Sequence, residues 1–326
     1  DFQGSRGLGD VYKRQLVDLL KAKGNNTKSI NSAMNKFESR NIFNSISEIK
    51  IQNAIVEKIE DIELFINENG TSVLKPINGT ASKSVIKIHS IKENKTAVEK
   101  LMQDCSDQDL IIEEFVDGSE YALEGNLINS ELNKIIIFDK PINYKEPYFE
   151  ESIYIAPTEI PGKTQKEIVN LIGKACKKLG LENGPVHVEF KIHNNEIFII
   201  EINPRMIGGL CSRCLSFGLF KTSLEEIALH AFLNNELKSI DLLSNFVGVL
   251  MIPTPISGKF ISINKNELES IPNVSGVEIT VSENSNLLEP PFGDKYLGFV
   301  FSQGDSKEKV MESLTLALDL ANPIIK

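Results

Sequence analysis

The stretch VHVEFKIHNNEIFIIEINPR, residues 186–205, decides the fold more than any other part of the chain. Two apolar, β-branched segments at 186–193 and 196–202 flank Asn194-Asn195, and asparagine tolerates the left-handed backbone that a tight turn needs. The pattern therefore predicts a β-hairpin, with polar side chains at chosen positions of both strands.

Glu201 lies inside an apolar strand, and a buried carboxylate needs either a cation or its proton. Its relation to Glu189 depends on the hairpin loop, because side chains alternate between the two faces of a strand. A three-residue loop with Asn195 left-handed pairs residues whose numbers sum to 388. Glu189, Glu201 and Asn203 then share one face, with the glutamates diagonal to each other. A two-residue turn would put the glutamates on opposite faces.

Two carboxylates about 5 Å apart repel by roughly 3 kcal/mol at an effective dielectric constant of about 20, so such a pair favours a cation between them. Two carboxylates and an amide are all-oxygen ligands, which suit Mg²⁺ or Mn²⁺, and Mg²⁺ usually completes its shell with water and phosphates. The alternative is a strand with an ordinary polar face, on which Glu189 and Lys191 are solvated.

A nucleotide could supply the phosphates for such a cation. The chain would have to bind them without a known loop motif, since it has neither a Walker loop nor a Gly-x-Gly-x-x-Gly fingerprint. Lys75 on a predicted strand can reach phosphate oxygens as a point charge. The loop 78–84 can cover them with N–H groups and hydroxyls, and the strand end 113–116 offers main-chain groups to a purine.

The rest of the chain alternates helical and strand-like patterns, which predicts an α+β protein with antiparallel sheets. The predicted helices are 52–69, ended by Gly70, and 96–105, 165–179, 223–233 and 307–320. The predicted strands outside the hairpin are 72–76, 84–88, 110–116, 121–128, 134–139 and 152–156.

The composition of the chain excludes some classes of binding partner. The 326 residues carry 35 Lys and Arg against 45 Asp and Glu, a net charge of −10 that repels phosphate backbones, so we expect no nucleic-acid partner. No apolar run approaches the roughly 20 residues of a membrane helix, so we expect no membrane partner. Four cysteines are too few for a disulfide scaffold, and a cytoplasmic location is expected.

Residues 1–15 are set apart from the fold, because 10–15 resemble the translation of a sequencing adapter; the alternative is a natural disordered leader. We expect 16–30 to be the remnant of an N-terminal domain.

Together these motifs resemble the ATP-grasp superfamily, and within it the carboxylate–amine ligases such as L-amino acid ligases. The resemblance covers roughly 25–235 and is most specific in the hairpin and the following Gly208-Gly209. It implies an α+β, ATP-grasp fold around an ATP cleft, with a small C-terminal α+β domain and the N-terminal domain largely missing. The implied divisions are a lid at 31–116, a central subdomain with the metal site at 117–240, and the C-terminal domain at 245–326.

The resemblance also implies roles for individual residues. It implies a site for two Mg²⁺ (or Mn²⁺) ions, whose ligands are Glu189, Glu201 and Asn203. As the ATP-binding set it implies Lys36, Lys75, Ser82, Glu113, Glu114, Phe115, Val116 and Glu120. Within that set, Glu113 would meet the adenine amine, Glu114 and Val116 the ring through their backbones, and Glu120 the ribose. Facing the transferring phosphate it implies Arg205 and Lys140. Weaker substrate candidates are Arg213 and His187.

The implied activity is Mg²⁺-dependent amide formation from a small-molecule carboxylate and an amine, driven by ATP through an acyl-phosphate. Two alternatives stay open: a purine-pathway or carboxylase-like enzyme of the same fold, and a nucleotide-binding module without catalysis. One departure favours the module slightly, because the loop over the phosphates usually carries more glycine, often at the position of Lys83. The acidic, strand-rich C-terminal surface is a candidate face for a homodimer.

Overall fold

The structure, a computed structural model, describes residues 24–79, 84–141, 152–243, 245–290, 293 and 295–326. The predicted leader 1–15 and Ser82 lie outside the described residues. The helices of the described part are α1 (Thr27–Met34), α2 (Lys36–Ile46), α3 (Ile59–Asn69), α4 (Ile91–Asp104), α5 (Gly162–Lys178), α6 (Leu215–Gly218), α7 (Leu224–Asn234), α8 (Lys265–Glu269) and α9 (Lys307–Leu320). The strands are β1 (Asn53–Val56), β2 (Ser72–Pro76), β3 (Ile86–Ile88), β4 (Leu110–Glu114), β5 (Ser119–Ile128), β6 (Glu131–Lys140), β7 (Ile153–Ala156), β8 (Gly184–His193), β9 (Glu196–Asn203), β10 (Phe246–Ile252), β11 (Gly258–Ser262), β12 (Val274–Ile279), β13 (Asn286–Leu287), β14 (Gly298–Gly304) and β15 (Ile324–Ile325).

Three sheets organise these strands. A four-stranded antiparallel sheet has the order β1-β4-β2-β3, an eight-stranded sheet has the order β12-β14-β10-β7-β6-β5-β8-β9, and a small sheet has the order β13-β11-β15. The α+β class with antiparallel sheets is therefore confirmed. The connection 115–118 between β4 and β5 joins the four-stranded sheet to the eight-stranded one.

The eight-stranded sheet has two different faces in its β5, β8 and β9 region. On one face, Ile168 and Ile172 of α5 pack with Val188 and Ile202 in a buried apolar cluster. The opposite face carries charged side chains near the carboxyl end of β9, and beyond them the apolar cluster of Phe138, Phe220 and their neighbours. Burial of one face on α5 therefore fixes which residues point to the other face, where the candidate site lies.

The four-stranded sheet packs its own core against α3 and α4, with Ile62, Leu74 and Leu101 fully buried. The predicted helix 52–69 is wrong over its first part, since Asn53–Val56 is strand β1 and α3 begins only at Ile59. The reason is tertiary pairing: these residues run antiparallel to β4, with Ile55 opposite Ile111, and β-branched side chains favour that state. Gly70 ends α3 at a φ of 78°, as predicted.

The C-terminal strands extend the same large sheet, because β10 pairs with β7 and β14 pairs with β10. The strands on both sides of the predicted 240–245 division thus share one sheet. Helix α9, predicted at 307–320, spans those residues and packs closely over β10. Gly248 makes that approach feasible, since a Cβ atom there would lie 2.7 Å from Leu314 Cδ1.

No helix of the described residues is long and apolar enough to cross a membrane.

Candidate functional site

The β8–β9 hairpin is confirmed, but its turn differs from the expected one. His193 pairs with Glu196, so the turn has only the two residues Asn194 and Asn195, whose φ angles of 49° and 66° are both positive. Such turns match the twist of the flanking strands, and asparagine tolerates their backbone. The expected three-residue loop, with pair numbers summing to 388, is therefore wrong.

A β-bulge in β9 changes the register beyond the turn. Phe190 pairs with Ile199, whereas Glu189 pairs with Glu201, so Ile200 is an extra residue without a partner in β8. One extra residue moves every following side chain to the other face. Glu189 and Glu201 consequently lie directly opposite each other on one face, and Asn203 follows on that face opposite His187. The shared face was expected, although the expected diagonal arrangement was wrong.

Each of the two glutamates lies near a lysine ammonium. Lys36 Nζ is 3.3 Å from Glu201 Oε1, and Lys140 Nζ is 3.8 Å from Glu189 Oε2. Burial by itself raises the pKa of Glu201, but the charges of Lys36, Lys75 and Arg205 outweigh it and lower that pKa. Burial by itself also raises the pKa of Glu189, but the nearby charges, mainly that of Lys140, outweigh burial and lower that pKa. Both carboxylates are therefore anionic at neutral pH.

A buried ion cluster lies where α2 meets the four-stranded sheet. Glu113 accepts a hydrogen bond of 2.9 Å from Arg40 Nε, and Lys75 Nζ lies 2.5 Å from its other oxygen. Burial alone raises the pKa of Glu113, but Arg40 and Lys75 hold it at about 2. Burial lowers the pKa of Lys75, and Glu113 offsets only part of that effect. The Glu113 carboxylate, predicted to meet an adenine amine, is thus already shared between two cations.

The connection between the two sheets places the other residues of the expected ATP set. The Glu114 N–H donates to the Gln52 carbonyl, and the Phe115 N–H donates to the Thr71 carbonyl. The Val116 carbonyl accepts a hydrogen bond of 2.9 Å from Lys191 Nζ.

Lys191 and Lys140 extend this connection across the face of the large sheet. The Lys191 ammonium lies 4.5 Å from the centre of the Phe115 ring and 3.8 Å from Glu120 Oε2. Lys140 makes a short hydrogen bond to the other oxygen of Glu120. A continuous row of charges therefore runs from the sheet connection to the facing glutamates.

His187 lies between two carboxylates on the site face. Its Nδ1 atom is 2.5 Å from Glu124 Oε1 and its Nε2 atom is 3.4 Å from Glu189 Oε1. Burial lowers the pKa of His187, but these carboxylates outweigh burial and raise it to about 9. The ring is therefore charged at neutral pH and holds no lone pair with which to accept a substrate proton.

Glu124 ties this histidine to the segment that follows β9. Its second oxygen accepts a hydrogen bond of 3.0 Å from the Ile207 N–H, and the side chain is almost fully buried. Arg205 lies in that segment, where its Nη1 donates to the Met206 carbonyl at 2.9 Å. Arg213 lies farther away, and its half-exposed guanidinium pairs with Glu278 of β12 at 3.3 Å. Arg205 is close enough to Glu201 for its charge to lower the pKa of that carboxyl, whereas Arg213 lies at the surface.

The chemistry of the donor set fits a hard divalent cation. Two anionic carboxylates face each other and an amide follows on the same strand, and these are the oxygen ligands that Mg²⁺ and Mn²⁺ prefer. In the described part of the chain, no group of three or more His, Cys, Asp or Glu side chains is arranged to hold a metal by itself. Further ligands would accordingly come from phosphate oxygens and water, as is usual for Mg²⁺.

Sequence reasoning missed two buried charges at this site. Glu124 is a carboxylate in the buried, mainly apolar part of β5, which is the signal that singled out Glu201, so the same argument could have found it. Lys191 lies two positions after Glu189 on β8, and this spacing is the same for a solvated lysine on an exposed strand face. No sequence signal separates the two cases, because its burial depends on the connection 115–118 packing over it.

Comparisons with known proteins bear on the fold of the chain. Residues 68–214 match the family model of the ATP-grasp domain. The chain has the ATP-grasp fold, which includes the two main sheets described above, and it is similar in sequence to carboxylate–amine ligases. The expected resemblance and the expected ATP-grasp fold of the α+β class are confirmed.

The chain is similar to one curated ligase and to two solved structures in particular. Alanine–anticapsin ligase of Bacillus amyloliquefaciens is 29% identical in an alignment of 216 positions, which covers 58% of this chain and 44% of that relative. The crystal structure of an L-amino acid ligase from Bacillus licheniformis matches 96% of this chain and 78% of its own, with a TM-score of 0.81 and 23% identity. The biotin carboxylase domain of a Hydrogenobacter thermophilus 2-oxoglutarate carboxylase, solved with MgADP, matches 96% of this chain and 72% of its own, with a TM-score of 0.69 and 14% identity. The chain thus spans less than half the length of that curated relative.

Proposed function

We propose that this protein is an ATP-dependent carboxylate–amine ligase that forms an amide through an acyl-phosphate. The observation that carries the proposal is the facing pair of Glu189 and Glu201, which is anionic and surrounded by lysine and arginine side chains. Similarity to alanine–anticapsin ligase and to an L-amino acid ligase supports the substrate class of amino acids and related carboxylates.

The proposed roles follow from position. Glu189, Glu201 and Asn203 would hold Mg²⁺ or Mn²⁺, two ions in our proposal, together with the triphosphate. When bound, the metal would neutralise phosphate charge and align the γ-phosphate for attack. Lys36 and Lys75 approach Glu201 and Glu113 from α2 and β2, so their ammonium groups would pass from carboxylate to phosphate oxygens when a nucleotide binds. MgADP in a solved structure of the same fold supports the cofactor proposal.

The reaction would then need no protein nucleophile. A substrate carboxylate oxygen attacks the γ-phosphorus, the bond to the bridging oxygen breaks, and ADP leaves with that electron pair. The amine nitrogen then attacks the acyl carbon of the acyl-phosphate, releasing phosphate and one proton. Arg205 and Lys140 would stabilise the charge on the transferring phosphoryl group, while Glu113, Glu114, Phe115, Val116 and Glu120 would hold the adenosine.

His187 and Arg213 have weaker support as substrate ligands. The first is enclosed by Glu124 and Glu189, so we propose a supporting role for it. The second pairs with Glu278 at the surface, and contact with a substrate would require that pair to open. The supply of ATP makes the cytoplasm the proposed location, and a homodimer through the C-terminal surface stays a proposal.

The test uses the 326-residue chain with ATP, Mg²⁺ and a panel of amino-acid pairs. Release of ADP is measured, and hydroxylamine is added to trap an acyl-phosphate as a hydroxamate. We expect amino-acid-dependent ADP release that Glu201→Gln abolishes, because the amide cannot supply the ionic ligand. The matched control is Glu196→Gln, on the same strand but exposed at the turn, which should leave turnover unchanged.

Three other results would redirect the assignment. Turnover that Glu201→Gln leaves intact contradicts the metal site. Turnover with bicarbonate but with no amino acid favours a carboxylase-like activity. Metal-dependent ATP binding by the wild-type chain without ADP release from any pair favours the nucleotide-binding module.

A further inference from the structure

The β9 bulge is the feature on which the facing glutamates depend. The turn alone sets a register in which pair numbers sum to 389, as in the pair of Lys191 and Phe198. Continued without the bulge, that register would pair Glu189 with Ile200 and leave Glu201 opposite Val188. Val188 is buried in the apolar cluster under α5, so Glu201 would point into that cluster, away from Glu189.

The bulge lies on an edge strand, since β9 is the last strand of the eight-stranded sheet. Main-chain groups on the outer side of an edge have no neighbouring strand with which to pair, and a bulge leaves additional groups unpaired. Helices α1 and α2 pack beside this edge. Some group of these helices must therefore satisfy the bulge carbonyls, or the bulge would cost free energy.

Arg40 of α2 is that group. Its Nη1 atom donates to the Ile199 carbonyl at 2.6 Å, and its Nη2 atom donates to the carbonyl of the extra residue Ile200 at 3.2 Å. The Nε atom of the same guanidinium donates to Glu113 at 2.9 Å, which fixes the plane of the fork. The Arg40 side chain is only 2% exposed, so these bonds face little competition from water.

We propose that Arg40 is a positioning residue for the metal site: its guanidinium holds the Ile199–Ile200 bulge and thereby keeps Glu201 opposite Glu189. Arg40 does not touch the proposed metal or phosphates and acts through the backbone of β9. The inference rests on the proposed function for its consequence in metal binding, whereas the bulge itself can be tested in the metal-free chain.

Arg40→Lys is the informative substitution. Lysine keeps a positive charge for Glu113, but a single ammonium cannot reproduce the planar fork that reaches two carbonyls and a carboxylate. In the metal-free protein we expect amide hydrogen exchange in 198–203 to become faster by about tenfold or more. We also expect Mn²⁺ binding in the presence of ATP, followed by electron paramagnetic resonance, to weaken by roughly 10- to 100-fold, the usual effect of losing a group that orients metal ligands.

Asn44→Ala is the matched control on the same helix. The Asn44 side chain also fixes backbone, since it donates to the Ile51 carbonyl at 2.8 Å and accepts from the Ile51 N–H at 3.0 Å. Its loss should lower stability without changing exchange in 198–203 or Mn²⁺ binding. Equal effects of Arg40→Lys and Asn44→Ala on Mn²⁺ binding would reduce Arg40 to a general stabilising role and overturn the proposal.

Deletion of Ile200 provides a rescue. Without the extra residue, the register set by the turn itself brings Glu201 opposite Glu189, so Arg40→Lys should weaken Mn²⁺ binding far less in this background. If the deletion variant needs Arg40 as much as the wild type does, the proposal is wrong. Should Arg40→Lys alone fail to fold, the comparison is made between the deletion variant and its Arg40→Lys derivative, and failure of both to fold also overturns the proposal.

The outcomes separate the two levels of inference. A wild-type chain that binds no Mn²⁺ with ATP contradicts the proposed function, while the exchange comparison still tests whether Arg40 holds the bulge. A wild type that binds Mn²⁺, together with an Arg40→Lys variant whose binding and exchange are unchanged, contradicts the positioning role alone.

Discussion

The ammonium of Lys36 lies 3.3 Å from Oε1 of Glu201, although 165 positions separate the two residues in the chain. The same ammonium donates to the Gly79 carbonyl at 2.7 Å, at the start of the loop expected to cover phosphates. One cation thus connects the first turn of α2, the Gly79 carbonyl and a carboxylate that we propose as a metal ligand. Its replacement should separate metal binding from nucleotide binding.

Lys36→Met should change the two affinities in opposite directions. Without the lysine, Glu201 has one less competing cation, so Mn²⁺ alone should bind several-fold more tightly. Binding of ATP with Mn²⁺ should weaken by about tenfold, because a phosphate-facing charge is lost. Electron paramagnetic resonance with and without ATP measures both. Lys163→Met, at an exposed lysine of α5, is the control, and two shifts of the same sign would contradict the proposed role.

The Glu124–His187 pair should show strong coupling in stability. His187→Gln leaves the buried Glu124 carboxylate without a cation, and Glu124→Gln leaves the His187 ring with only its longer contact to Glu189, so each should cost about 3–5 kcal/mol. The double variant should cost at least about 1 kcal/mol less than the sum, because no unpaired charge then remains between these two positions. Urea unfolding of the four proteins measures the cycle. Additive losses would show that the two side chains do not interact, whereas the exposed pair Arg213–Glu278 should couple by less than about 1 kcal/mol.

Acid should remove the contribution of Glu113 in a defined range. Its pKa falls from about 4.5 in the unfolded chain to about 2 in the folded one, since Arg40 and Lys75 outweigh burial. Ionised Glu113 therefore contributes fully to the free energy of unfolding above about pH 4.5. This contribution, roughly 3 kcal/mol, is lost as the pH falls towards 2. The free-energy difference between wild type and Glu113→Gln should therefore be constant from pH 7 to 5 and shrink below pH 4.5.

Urea titrations at pH 7, 5, 4 and 3 follow this difference. A gap between the two proteins that stays constant down to pH 3 would mean that Glu113 is not held anionic by its neighbours.

The hairpin turn should tolerate glycine and resist β-branched residues. Asn195 has a φ of 66°, which costs a β-branched side chain about 1–2 kcal/mol, whereas Asn-Gly is a favoured two-residue turn. Asn195→Val should lower the free energy of unfolding by about that amount, and Asn195→Gly should leave it unchanged or slightly raised. Both should keep Mn²⁺ binding as in wild type, because the turn keeps its two residues and its register, and the bulge then brings Glu201 opposite Glu189. Weaker metal binding in Asn195→Gly would argue against that division of roles.

Most elements of the fold could be read from local patterns. Alternating apolar segments and asparagine turns located the hairpin, and Gly70 located the end of α3, because these signals come from the backbone preferences of single residues. The region 52–58 could not be read in this way. Its apolar spacing suits a helix, and only the presence of β4 beside it makes the extended state better.

The candidate site divides in the same manner. The residues Glu189, Glu201 and Asn203 could be selected from sequence, because carboxylates in an apolar strand demand a partner. Their arrangement could not, since the register depends on a bulge whose carbonyls are held by Arg40, and Arg40 comes from a helix about 160 positions earlier. Glu124 and Lys191 likewise acquire their meaning from neighbours that are distant in the chain.

The sequence by itself determined the type of protein: an α+β chain with antiparallel strands, an oxygen-rich hairpin and a set of basic residues suited to phosphates. Tertiary structure alone decided that the two glutamates face each other, that α2 supplies Lys36 to Glu201 and Arg40 to the β9 bulge, and that His187 is enclosed between carboxylates. The physical reason is the distance along the chain over which each kind of interaction acts. Backbone preference and hydrophobic alternation act over a few residues, whereas the pairing of buried charges depends on which distant segments the folded core brings into contact.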